Sequence, residues 1–474
     1  MKLQIAILMF LLVNESADLH ASVWQVGPTR QYAAPSAVAG LVADGDTVEI
    51  DAGLYTGDVA KWFANNLLLR SVGAGYAHLD AGGNNAEGKA IWVIKGNDCT
   101  VEGIEFSGCQ VPDFNGAGIR QEGKNLTLRN CYFHNNEMGI LTSNDGVSDY
   151  LFEFCEFAEN GYGDGYSHNI YVGHVNSLTL QFCYSHDAHI GHLVKSRAKH
   201  NYLYFNRLTG ENGDGSYEVD LPNGGEAVLI GNIIEQSANS QNGGIVSFGL
   251  EGATNPEQQI VLAHNTLVNN RFDGRFVQFS NQTAFVKLGN NLVLGPGQLL
   301  QGTTASLDTV TNLRLTDIAS AMLEDPTNFD FRPTASSPGV DAGSSLGDFN
   351  GISLTPVFQY EHPMAYVDRI QIGLSSDVGA FEFKPVVSSV EDAKVLPAVS
   401  ISPNPTSDGR VNINFSVPLS EEIRLRVMDL SGRTCIETTI PQGEKRIELR
   451  LETCPNAAYL VEMKGFEKQL LIKM

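Results

Sequence analysis

Short apolar strands alternate with small polar residues along most of the chain, and the alternation recurs at a nearly regular interval. Leu126-Thr127-Leu128, Leu178-Thr179-Leu180-Gln181-Phe182, Tyr202-Leu203-Tyr204-Phe205 and Ala227-Val228-Leu229-Ile230 alternate with the period of two that suits β-strands. Each such run leads into a small polar residue followed by another apolar pair. That residue is Cys131, Cys155, Cys183, Asn206, Asn232, Asn265 and Asn291, at successive spacings of 24, 28, 23, 26, 33 and 26 residues. No amphipathic helical pattern separates the repeats. A strand-only repeat of this length predicts a solenoid with one coil per repeat, because a lone coil cannot bury its inward side chains and a stack can. Stacked strands would lie about 4.8 Å apart. The recurring Asn residues could then satisfy their amides on one another, with Cys as a small apolar filler at the same place. Propeller blades need about 40 residues or more per repeat, and sandwiches do not repeat. The expected class is all-β: a parallel β-helix solenoid followed by a small β-sandwich.

The two ends depart from the repeat. Met1-Lys2, an apolar run from Ile5 to Val13 and polar residues before Ala21-Ser22 read as a secretory signal over residues 1–21. No later run approaches the roughly 20 apolar residues of a membrane helix. Residues 22–383 form the solenoid on this reading, residues 384–400 a linker, and residues 401–474 a separate all-β module. Composition adds three constraints. A net charge of −23 argues against a nucleic-acid partner and suits an exported monomer. Gly makes up 48 of 474 residues, which tight turns between strands explain. Of the seven cysteines, three belong to the recurring position, while Cys435 and Cys454 lie in the tail and could pair in an oxidising compartment.

These patterns resemble the pectin-lyase-like superfamily of right-handed parallel β-helices, over roughly Val23 to Phe383. Gly45-Asp46-Thr47-Val48-Glu49-Ile50 and Gly53-Leu54-Tyr55 look like its opening coil. Ser337-Pro338-Gly339-Val340-Asp341-Ala342-Gly343 and Asp377-Val378-Gly379-Ala380-Phe381-Glu382 look like its closing turns. The tail resembles the type A sorting domain of the type IX secretion system. It has Ile401-Ser402-Pro403-Asn404-Pro405, then Val427-Met428-Asp429-Leu430-Ser431-Gly432-Arg433, Tyr459-Leu460-Val461-Glu462-Met463 and a Lys468–Lys473 ending. Ala458 stands where that pattern usually has Gly. This resemblance implies passage across an outer membrane by the type IX machinery, then release or attachment at the surface. On the residues alone, an accessory sugar-binding sandwich is the alternative.

Candidate chemistry concentrates in one stretch. Six of the 11 histidines, His168, His174, His186, His189, His192 and His200, fall there with Lys195, Arg197 and Lys199. The next strand carries Tyr217-Glu218-Val219-Asp220. Registering the coils with Ile170, Leu193 and Val219 inward puts Asn169, His192 and Glu218 in one outward column. Tyr171, Val194 and Asp220 then form a second, which Arg120 extends. Tyr171, His192, Lys195, Glu218 and Asp220 would share a face, although a slip of one residue reverses every side chain. Lyases of the resembled fold remove the proton alpha to a uronate carboxylate, which requires a base, a carboxylate neutraliser and sometimes a proton donor. Lys195, His192, Tyr171 and Arg197 are the catalytic candidates. Asn169, Glu218, Asp220, Arg120 and His189 are the candidates for binding a polysaccharide. Lys195-Ser196 resembles the Lys-Ser pair of the alginate lyase and chondroitinase group, in which lysine is the base. That group's Arg-His-Gly is replaced here by Val219-Asp220-Leu221-Pro222.

Two further readings come from spacing. Glu218 and Asp220, at i and i+2, stand near the roughly 6.5–9.5 Å that inverting glycosidases use, but the polygalacturonase motifs are absent. His186, His189 and His192 offer three metal ligands whose side chains need not converge in a β-coil. Calcium, held by carboxylates and carbonyls, is the cation the resemblance suggests. The residues point to a lyase or C5-epimerase acting on uronate polysaccharide, or to a non-catalytic glycan-binding β-helix.

Overall fold

The computed structural model describes residues 21–385 and 399–473, apart from residues 416, 417, 420, 431, 465 and 467. The signal expected over residues 1–21 therefore falls almost wholly outside the described residues, as does most of the linker at 384–400. Among the described residues no helix is long and apolar enough to cross a membrane.

From Val23 to Leu315 the strands stack in parallel, coil upon coil, into one 21-stranded and one 10-stranded sheet. Each full coil contributes three strands. A first face holds Leu126–Arg129, Asp149–Glu153, Ser177–Gln181 and their successors. A second face holds Tyr132–His134, Glu156–Ala158, Tyr184–His186 and theirs. A third face, the 10-stranded sheet, runs through Ile170–Val172, Val194–Ser196 and Val219–Leu221. All three turn their apolar side chains inward. The interior includes a file of rings, Trp62, Trp92, Phe106, Phe133 and Phe157, with successive centroids 5.2, 5.1, 4.9 and 4.9 Å apart.

The recurring Cys and Asn stand where the chain bends from the first face to the second. The residue before each is left-handed: Asn130, Phe154, Phe182, Phe205, Gly231, His264 and Asn290 have φ between 49° and 67°. The bend breaks the sheet's own hydrogen bonding, and the ladder repairs it. Asn232 Oδ1 accepts from the Asn206 backbone N–H at 3.0 Å and from the Asn206 side-chain amide at 2.9 Å. The Asn232 amide donates in turn to Leu203 O at 2.8 Å and to Asn265 Oδ1 at 2.9 Å. The ladder continues beyond the seven expected residues to Asn312, whose Oδ1 accepts from Asn291 at 2.8 Å. The ladder thiols do more than fill space: Cys183 Sγ lies 3.4 Å from Phe152 O, mimicking the amide contact. Phe182 and Phe205, which the alternation placed in strands, are the bend residues themselves.

A 3-10 turn at Ile318–Ala321 and short hairpins close the end of the helix, around a buried ion pair of Arg369 Nε and Glu382 Oε2 at 3.1 Å. The tail forms a three-stranded and a four-stranded antiparallel sheet, tied by a disulfide between Cys435 and Cys454. The other five cysteines are free and buried. Met428, Leu430, Ala458 and Leu460 of the tail are buried together with Phe182, Tyr204, Phe205, Val228 and Phe358 of the helix domain.

Removing a ladder amide strands the backbone groups it served. Asn232→Ala should cost about 3 kcal/mol, at roughly 1–3 kcal/mol per unpaired buried group. Cys155→Ala should cost no more than about 1 kcal/mol, since its thiol bonds are weak. Urea unfolding followed by circular dichroism compares the two.

Candidate functional site

The third face aligns Tyr171, Lys195 and Asp220 on consecutive strands, each paired with the next. Because Val194 pairs with Val219 and the side chains alternate, Lys195 and Asp220 project to the same side as Tyr171. Lys195 Nζ lies 3.2 Å from Asp220 Oδ2 and 5.9 Å from the Tyr171 ring centre. Arg197, just past its strand, donates from Nε to Tyr171 Oη at 3.0 Å and from a terminal nitrogen to Asn223 Oδ1 at 2.7 Å. Glu251, on the loop after strand Gly244–Phe248, closes the group: one oxygen takes Lys195 Nζ at 3.0 Å and the other takes Arg197 at 2.5 Å. A lysine and an arginine thus grip one carboxylate by both of its oxygens.

Beside this network the two rings of His168 and His192 stack, with centroids 4.4 Å apart. His192 Nδ1 accepts the Tyr217 backbone N–H at 3.2 Å, and His168 Nδ1 accepts the His192 backbone N–H at 3.1 Å. Both rings therefore carry their hydrogen on Nε2, and that of His192 faces Asp220 Oδ2 at 3.6 Å. Burial, reinforced by the Lys195 charge, pushes His192 down to about 3, and burial holds His168 well below its ordinary value. Burial raises the Asp220 carboxyl, partly offset by Lys195. Burial also works to raise Glu251, but its hydrogen bonds from Arg197 and Lys195 outweigh it and leave that carboxyl below the usual range.

The structure corrects the expected register by one residue. Val194, not Leu193, is the inward partner of Ile170 and Val219, so Lys195 takes the outward place assigned to Val194. Leu193-Val194 offered two adjacent apolar residues for one inward slot, and alternation alone cannot choose between them. The slip reassigns the preceding column: His168 and Tyr217 flank His192, while Asn169 and Glu218 turn inside. Asn169 belongs to a second interior ladder, accepting from Asn160 at 3.0 Å and donating to Ser185 at 3.1 Å. Glu218 is buried against Gln236, its carboxyl raised by burial and by Glu235. Neither is placed to touch a polysaccharide on the surface.

Arg120 does share the column, but Leu141 intervenes between it and Tyr171. His189 sits on an exposed turn, paired with Asp214 at 3.0 Å and outside the network. The three histidines at spacing three face different partners, His186 lying between Asp187 at 2.8 Å and Glu156 at 3.2 Å. Among the described residues, both groups of three or more metal-ligating side chains include a histidine, so neither is the all-oxygen set that Ca2+ favours. Asn223 and Glu251 were absent from the sequence candidates, and His168 was counted in the histidine-rich stretch without a place in the site. His168 was hidden by the register slip, and Glu251 by 56 residues of separation from Lys195.

Two histidines should shape stability with opposite signs. For His192, the unfolded chain binds a proton that the folded site refuses. Its contribution is complete above about 6.5 and declines as pH falls toward about 3. For His186, burial opposes the charge but the hydrogen bonds to Asp187 and Glu156 prevail, raising it to about 9. Its contribution is complete below about 6.5 and is lost as pH rises through about 9. Melting temperature against pH should show His192→Asn flattening the acid limb and His186→Asn the alkaline limb.

Residues 83–167 match the family described as right handed beta helix region, and residues 400–474 match the secretion system C-terminal sorting domain. No curated protein matches the sequence. Among solved structures, the chain is similar to pectate lyase Pel9A at 14% identity, covering 77% of this chain and 96% of that one with a TM-score of 0.51. Pectin methylesterase from Aspergillus niger aligns at 10% identity over 66% of this chain and 90% of that one, with a TM-score of 0.28. Pectin methylesterase PemA from Erwinia chrysanthemi aligns at 10% over 66% and 98%, also at 0.28. The sorting domain marks the chain for type IX secretion and the cell surface. The chain is a right-handed parallel β-helix with the fold of a pectate lyase, carrying a type IX secretion sorting domain at its C-terminus.

Proposed function

We propose that this protein acts on a uronate-containing polysaccharide outside the cell, by abstracting the proton alpha to the uronate carboxylate, as a lyase or a C5-epimerase. The observation that carries the reading is the grip of Lys195 and Arg197 on the Glu251 carboxylate. A uronate carboxylate displacing Glu251 would meet the Arg197 guanidinium in its place, beside Lys195. Neutralising that carboxylate is what makes the alpha C–H acidic enough to remove, by stabilising the negative charge that develops on it.

The roles then follow from the geometry. Arg197, oriented by the Asn223 Oδ1 that accepts from it, holds the substrate carboxylate. Lys195, with Nζ 3.2 Å from Asp220 Oδ2, is the base. His192 is neutral with its hydrogen on Nε2, so it serves as a hydrogen-bond donor and not as the base. Tyr171 orients Arg197 through its hydroxyl and offers a ring face for the sugar. The 14% likeness to a pectate lyase agrees with the fold this chemistry uses and is not itself the argument.

Glycan binding without turnover is the second reading. Phe114 and Tyr162, both exposed, stack with centroids 4.0 Å apart beside a cleft of about 660 Å3 that also includes Asn135, Glu137 and Glu159. Such a ring pair suits sugar stacking.

Incubation with alginates, pectates and glycosaminoglycans should yield the ultraviolet absorbance of an unsaturated uronate. For an epimerase it should instead yield solvent deuterium at C5 without that absorbance. Lys195→Ala should lower kcat by about 10²–10⁴-fold. Arg197→Lys should lower kcat/KM by about 100-fold. Neither signal across the panel, with binding abolished by Phe114→Ala, would favour the second reading.

Because Glu251 competes for the carboxylate position, Glu251→Gln should tighten uronate binding by about tenfold, roughly 1.4 kcal/mol. Calorimetry with a uronate oligosaccharide measures it.

A further inference from the structure

Three successive coils bring His78, Glu105 and His134 together on the second face, apart from the Lys195 network on the third. His78 pairs in register with Glu105, and Ser107 with His134, so the three side chains form a diagonal across the coils. His134 Nε2 lies 2.9 Å from Glu105 Oε1, and His78 Nδ1 lies 3.5 Å from the same oxygen. The three ligand atoms all lie within 4.8 Å of one another, and the side chains are 27%, 19% and 18% exposed, open enough for an ion to enter.

The outer nitrogen of each ring is held by an oxygen of a neighbouring side chain. Asn135 donates its amide to Glu159 Oε2 at 2.9 Å, so the Oδ1 that faces His134 Nδ1 at 2.7 Å must accept the ring N–H. The lone pair of His134 is then on Nε2, aimed at a carboxylate oxygen. An unprotonated nitrogen and that oxygen would repel at 2.9 Å, so a second ring proton or a metal ion lies between them. His78 sets Nε2 2.7 Å from Ser107 Oγ, a hydroxyl able to accept the ring N–H, and turns Nδ1 toward Glu105. Metal-bound histidines are held in this way, one nitrogen on the ion and the other on an oxygen of the surrounding shell.

A neighbouring group shows the contrast. His186 also stands above a glutamate of the preceding coil, but both its nitrogens face carboxylates, and Glu211 in that group is taken up by Arg207, Thr209 and Tyr184. That histidine is complete as a charged donor. At His78 and His134 two rings share one carboxylate oxygen.

We propose that His78 Nδ1, Glu105 Oε1 and His134 Nε2 form a binding site for a divalent ion of the Zn2+ class, tying three coils of the helix together. Two imidazole nitrogens and one carboxylate select such an ion over Ca2+ or Mg2+, and three protein ligands leave a fourth position facing solvent. Ser107 and Asn135 are positioning residues that orient the rings.

The test uses Zn2+ with the full chain in a calorimeter, and Co2+ followed by visible absorbance. One equivalent of Zn2+ should bind and raise the melting temperature, with Co2+ giving the intense bands of a four-coordinate site. His78→Ala and His134→Ala should weaken binding on the order of a hundredfold or more, and Asn135→Ala by about 10-fold or more. His186→Ala should leave it unchanged. No saturable equivalent in the parent chain would overturn the proposal. Parent-like affinity in both His78→Ala and His134→Ala would do the same. Should either variant misfold, the parent's Co2+ spectrum and Glu105→Gln decide the matter.

Discussion

The fold depends on a left-handed residue that recurs once per coil and on the hydrogen bonds that make it tolerable. A non-glycine residue in that conformation costs about 1–2 kcal/mol, and here Phe, Asn and His all adopt it. The bend would also leave buried backbone groups unpaired. The Asn ladder answers both problems, because each amide serves the coil before it and the coil after it. A bend in one coil is thereby fixed by its neighbours, and the three faces keep their orientation over many repeats.

That rigidity is what gives the third face its chemistry. Parallel register sets Tyr171, Lys195 and Asp220 one strand spacing apart, near enough for direct ion pairing. Burial then sorts the neighbouring groups by charge. The histidines, packed against lysine and arginine, are held neutral, while the carboxylates are divided between Asp220, raised by burial, and Glu251, lowered by its two cationic partners. The consequence is a lysine–arginine pair that the protein closes with its own Glu251 carboxylate.

Histidine plays three physical roles in this one fold. His192 and His168 are neutral packing rings with fixed tautomers. His186 is a charged donor between two carboxylates. His78 and His134 each turn one ring nitrogen on the same carboxylate oxygen. The residue type is the same in all cases, and the difference lies in what faces the second ring nitrogen.

Much of this architecture was legible in the sequence. The interval between Cys131 and Asn291 specified stacked coils, and the period of two specified strands, because both depend on local alternation. The tail was legible from its ordered motifs. What alternation could not supply was register across loops of unequal length: Leu193 and Val194 are equally apolar, and only the packing of the coils decided that Val194 points inward. That choice moved Asn169 and Glu218 into the interior and set His168 beside His192. Glu251 was beyond any sequence reading, since nothing local marks a loop residue that closes on a strand two coils earlier. The sequence by itself determined the coil, the ladder and the stretch in which the titratable groups gather. The tertiary structure alone decided which of them meet, because contacts between coils depend on loop lengths and side-chain reach that no periodicity encodes.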